Sequence, residues 1–128
     1  MRASGDSSWV SDSVVNGYTA AAAADLDATL KAYVAMARAQ EPERLEPRLA
    51  AIRCPVLLLL GGAPHDAGPR TADIALLAER LGTFAIDTVP GAGHFLYEER
   101  PDMVVSAVDR VSGRAGPLSP VAGTQYTP

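Results

Sequence analysis

A single cysteine, Cys54, cannot close an internal disulfide, so no covalent framework holds this chain of 128 residues together. Its position beside an apolar run reads as core packing rather than as a reactive thiol, and the composition fits a reducing, cytoplasmic compartment. Cationic charge is scarce. Lysine and arginine together number 11 against 15 acidic residues, a net charge of −4, so there is no basic footprint for nucleic acid or for anionic lipid. Long apolar runs are missing too. The longest strand-like one, Val56-Leu57-Leu58-Leu59-Leu60, is far too short to cross a bilayer, and residues 1–15 do not resemble a signal peptide.

The chain is organised around that run. Cys54-Pro55-Val56-Leu57-Leu58-Leu59-Leu60-Gly61-Gly62 does not alternate apolar with polar, so it reads as a strand buried on both faces of a parallel sheet. Pro55 suits its first residue, where a missing N–H harms no ladder. Phe84-Ala85-Ile86-Asp87-Thr88-Val89 is the second strand, placed nearer an edge by Asp87. Between them a helix begins at Pro69 or Thr71, buries Ile74, Leu77, Ala78 and Leu81, and is expected to stop in a left-handed turn at Gly82. A last helix starts at Pro101 with Asp102 in its first turn and a stripe of Val104, Val108 and Val111, helped by Met103 and Val105. The fold class is therefore α/β, a βαβα unit with two parallel strands.

Upstream, Thr19 can cap an amphipathic helix running toward Gln40, with Leu26, Leu30, Val34 and Ala37 on one face and Asp27, Lys31 and Arg38 on the other. Residues 1–18 read as a flexible segment, and residues 113–128, rich in Gly, Pro, Ser and Thr, as a disordered tail.

Open α/β sheets place functional groups in loops at the carboxyl ends of their strands. The loop after the first strand carries His65 and Asp66, and the loop after the second, Pro90-Gly91-Ala92-Gly93-His94-Phe95, carries His94. A neutral imidazole oriented by a carboxylate takes a proton from a hydroxyl nucleophile, so His94 is the candidate base and Asp66 its candidate partner. His65, Asp66 and His94 have no diagnostic metal-ligand spacing, and neither a phosphate loop nor a dinucleotide fingerprint is present, so no metal or cofactor is expected. Glu98 and Glu99 are adjacent and read as a solvated rim.

Ile52-Arg53-Cys54-Pro55-Val56-Leu57-Leu58-Leu59-Leu60-Gly61, with Asp66, Val89-Pro90-Gly91-Ala92-Gly93-His94-Phe95 and Glu98-Glu99-Arg100-Pro101-Asp102, resembles the carboxyl-terminal part of an α/β-hydrolase. The resemblance implies a truncated α/β-hydrolase fold over residues 19–112, with a cap-like helix before the two strands. It also implies that the first strand loop supplies the acid of a triad and the second its histidine. Two departures stand out. The acid is expected three residues after the glycine that ends the strand; counted from Gly62 that position is His65, and Asp66 is one later. No G-x-S-x-G occurs, and Ser11, Ser13 and Ser106 lack the strand-turn-helix setting of a nucleophile.

Two functions follow as expectations. One is hydrolysis of an ester-like or other acyl small molecule by a Ser-Asp-His mechanism whose serine is missing from this chain, which is inactive in isolation. The other is a non-catalytic remnant or assembly module that pairs through an exposed sheet edge. Either way, a strand with one neighbour calls for a homo-oligomer or a complementary chain to supply the missing sheet half.

Overall fold

The structure, a computed structural model, describes residues 3–65 and 68–114. They divide into two compact units, one drawn from residues 3–7, 46–65 and 68–114 and the other from residues 8–45.

The smaller unit is a pair of helices, α1 (Asp12–Ala24) and α2 (Leu26–Arg38). The single helix expected from Thr19 to Gln40 is thus two, and its start lies earlier, inside the segment read as flexible. Ser11 caps α1 through its side chain, which accepts from the Val14 N–H at 3.3 Å. Thr19 caps nothing; its hydroxyl donates to the Val15 carbonyl at 2.8 Å within α1. Asp25 makes the break. Its N–H closes α1 on the Ala21 carbonyl at 3.0 Å, while its carboxylate accepts from the Ala28 N–H at 2.9 Å and opens α2. An aspartate that offers the backbone this alternative partner interrupts a run that alanine propensity would carry through. Neither helix buries a residue.

In the larger unit a 3₁₀ turn (Glu46–Ala51) leads to β1 (Val56–Gly61), α3 (Thr71–Arg80), β2 (Phe84–Val89), a short helix α4 (Leu96–Glu99) and α5 (Pro101–Val111). β1 and β2 pair in parallel, in the register Val56↔Phe84 through Gly61↔Val89. Helix α3 makes the crossover. Among the described residues these two strands are the whole sheet, which changes one expectation. Only Leu60 of β1 is buried; its other residues are half-exposed, and among the described residues one of the strand's hydrogen-bonding edges has no neighbour. Cys54 is exposed, since pairing begins after Pro55 and leaves it in the preceding bend.

The core lies at the carboxyl end of β2. Val89, Ala92 and Leu96 are buried against one another, and Leu59, Met103 and Val104 pack around them. Gly82 does not take the left-handed conformation. Leu81 leaves α3 in extended backbone instead, which sets its buried side chain in the core on the way to β2. Helix α5 begins at Pro101 with Asp102 in its first turn, as expected; Met103, Val104 and Val111 of its expected face are half-buried, and Ala107, which that face did not include, is its buried residue. Val108 is exposed, one residue past the inward-facing Ala107.

Asp87 sits in β2 because Arg110 of α5 reaches it, Nη2 donating to Oδ2 at 2.6 Å with both side chains about one-third exposed. Arg110 Nε is buried with no partner among the described residues, so the guanidinium depends on this contact. Replacing Asp87 by alanine is expected to lower stability by about 1–2 kcal/mol, the cost of stranding a half-buried cation. Urea unfolding of wild type and variant measures it.

Candidate functional site

The two loops at the carboxyl ends of β1 and β2 are joined to each other. The Gly62 N–H donates to the Val89 carbonyl at 2.9 Å, and the Ala63 N–H to the Ala92 carbonyl at 2.8 Å. Gly91, at φ +76°, turns the second loop in a conformation that disfavours a side chain. Ala92 behind it is fully buried. The turn then delivers His94 to the surface, with its ring exposed and edge-on to Phe95 at 5.3 Å between centroids.

His65 comes to the same rim. Its ring centre lies 6.2 Å from that of His94, although 29 positions separate them in sequence. His65 Nδ1 is 2.7 Å from the Ala63 carbonyl. A carbonyl only accepts, so Nδ1 carries a proton and Nε2 is the nitrogen left to act. Asp66, the candidate acid, lies outside the described residues.

The backbone under His94 is held from two directions. The His94 N–H donates to the Ala3 carbonyl at 2.7 Å. The Gly93 N–H donates to Glu99 Oε2 at 2.9 Å, and the same oxygen accepts from Gly5 N–H at 3.1 Å and Asp6 N–H at 3.0 Å. Residues 3–6 therefore form part of the floor beneath His94 rather than a loose end. The approach is close enough that a Cβ on Gly93 would fall 2.7 Å from the Ala3 carbonyl oxygen and 2.8 Å from Ser4 C.

Glu99 is the buried charge of the site, 7 % exposed. Burial pushes its carboxyl up; the N–H groups of Gly93 and Asp6, the Ser4 hydroxyl and the Gly5 N–H together outweigh that, and hold it below the ordinary value. The Ser4 hydroxyl has one proton and two acceptors, since it also donates to the Asp6 carbonyl at 2.5 Å. Oε1 has no full hydrogen bond of its own.

Sequence reasoning put Glu99 on a solvated rim beside Glu98. A signal was available: adjacent residues in a helical turn diverge by about 100°, so both could not face the same solvent. The floor formed by residues 3–6 had no such signal, because backbone groups make the contact. No group of three or more metal-ligating side chains occurs among the described residues. No described helix is long and apolar enough to cross a membrane.

A parallel βαβα unit whose strand loops meet at one rim and expose a histidine there belongs to the α/β class that works from the carboxyl ends of its strands. A family model described as the alpha/beta hydrolase family matches residues 2–107, a span that includes both strand loops, and the chain belongs to that family. No curated protein and no solved structure matches it.

Proposed function

We propose that the chain carries the acid–base half of an acyl hydrolase, with His94 as base and then acid, and Asp66 as the carboxylate that orients it. The observation that carries this is the placement of His94: exposed at the carboxyl end of β2, on a loop pinned by Ala3 and Glu99, within the span that matches the family. A serine hydroxyl brought to His94 would lose its proton to the imidazole as it attacks the acyl carbon. Asp66 would stabilise the imidazolium, and His94 would return the proton to the leaving group. The substrate class is an ester-like or other acyl small molecule, and the compartment a reducing, cytoplasmic one. The serine is not in this sequence, so the nucleophile comes from another segment or chain.

The test is complementation. Mixing the chain with a polypeptide that carries a G-x-S-x-G strand-turn-helix should yield hydrolysis of a short-chain ester. That activity should fall about 10³–10⁴-fold with His94→Ala. Turnover that does not depend on His94 would contradict the proposal.

A second reading, a non-catalytic assembly module, draws on the half-exposed side chains of β1 and on a two-stranded sheet with open edges. It predicts sheet-mediated association with no turnover in any mixture.

A further inference from the structure

Helix α2 presents an unpartnered face that is complementary to itself. Every residue of Leu26–Arg38 except Thr29 is exposed, including Leu30 and Val34 at about half their surface. Asp27, Leu30, Lys31, Val34, Ala35 and Arg38 line one shallow trough along the helix. Their spacing follows the three- and four-residue steps that make a single helical stripe.

We infer that this stripe docks against the same stripe of a second copy of the chain, the two α2 helices antiparallel about a two-fold axis between Ala32 and Tyr33. An isologous contact of this kind sets residue i opposite residue 65 − i. The pairing is favourable at each position. Asp27 meets Arg38 of the second copy at both ends of the contact, joining opposite charges twice. Leu30, the largest apolar side chain of the stripe, meets Ala35, the smallest, a large-into-small fit. Lys31 lays its aliphatic stem along Val34 and keeps its ammonium at the edge. A parallel arrangement would set Asp27 against Asp27 and Arg38 against Arg38, so the charges select the antiparallel one.

Within one chain Asp27 pairs with Lys31 at 2.6 Å, but both side chains are about three-quarters exposed. Such a pair is weak and leaves Asp27 able to share its carboxylate with an incoming arginine. The helix spans 13 residues, about 20 Å, so the contact is at the small end of specific interfaces, and self-association on the order of 10–100 μM is expected.

Sedimentation equilibrium of the full chain, with reductant present because Cys54 is exposed, reads the dimer directly. Asp27→Arg and Arg38→Asp should each weaken association about tenfold, because each sets like charges together twice. The double variant D27R/R38D restores the opposite pairing and should recover to within about threefold of wild type. Far-UV circular dichroism of each variant separates loss of the contact from loss of the helix. Both reversals oppose the helix dipole, so a purely structural role predicts that the double variant is worse than either single one. A chain that stays monomeric, a dimer indifferent to all three variants, or a double variant no better than the singles would overturn the inference.

Discussion

Replacing Glu99 by alanine is expected to lower the stability of the larger unit by about 3–4 kcal/mol, enough to unfold much of a marginally stable domain. Oε2 gathers three backbone N–H groups, from Gly93, Gly5 and Asp6, and hydrogen bonds to an ionised acceptor are among the stronger ones. Truncation removes all three and leaves the buried Gly93 N–H without a partner. Glu99→Gln keeps the volume and can set its one carbonyl oxygen where Oε2 lies, but it removes the negative charge that strengthens the three bonds, so a smaller loss of about 1–2 kcal/mol is expected. Urea unfolding gives the stabilities. Hydrogen exchange at the Gly93 amide gives the local effect, with protection lost in the alanine variant.

The same carboxylate sets a pH dependence. Its folded value lies below the ordinary 4.5, so the folded state binds fewer protons at this site than the unfolded chain does. The stabilisation is therefore complete above about pH 5 and is lost as pH falls through the folded value, below 4.5. Glu99→Gln should flatten the acid limb of the stability profile in that window. An unchanged acid limb would mean that the buried carboxylate is not what titrates there.

The second large effect is expected from Gly61→Ala. A Cβ at the last residue of β1 would meet the carbonyl oxygen of Gly93 far inside van der Waals contact, with Ala92 O at 2.6 Å and Gly93 C at 2.8 Å. All three are backbone atoms of the His94 loop, so no side chain can swing aside. Relief requires either that the loop lifts, breaking the Ala63 to Ala92 hydrogen bond, or that the end of β1 leaves its register. A loss of about 3 kcal/mol in urea unfolding is expected, with the His94 resonances shifted because the loop beneath them moves. Gly82→Ala is the control. Nothing lies within 4 Å of the added methyl and the residue is not left-handed, so it should be neutral or stabilise by up to about 1 kcal/mol.

Much of the larger unit was readable from side chains that act locally. The Val56 to Leu60 run, Pro55 before it and Pro101 at the head of α5 each constrain their own backbone, and β1 and α5 both fall where those residues put them. The turn that leads to His94 was readable for the same reason, since Gly91 takes the left-handed conformation that a tight turn there needs. What escaped depends on partners distant in sequence or on competition between nearby groups. Asp25 splits the first helix by offering its carboxylate to Ala28, against the pull of five consecutive alanines. Helix α3 stops where a stop was expected, but through extended backbone at the buried Leu81 and not through a left-handed turn at Gly82. Glu99 is buried because residues 3–6 come back from the other end of the sequence to bond it, and residues that recognise backbone amides leave no compositional trace.

Under the proposed function, this chain supplies a base but not the atom that the base would activate. Treatment of the purified 128-residue chain with a fluorophosphonate, which phosphonylates activated serines, followed by intact-mass and peptide analysis, tests it most directly. The expected result is no adduct on any serine, from a chain that hydrolyses a short-chain ester no faster than free imidazole does. A stoichiometric adduct on a serine of this chain, abolished by His94→Ala, would contradict the account and place the nucleophile within this sequence.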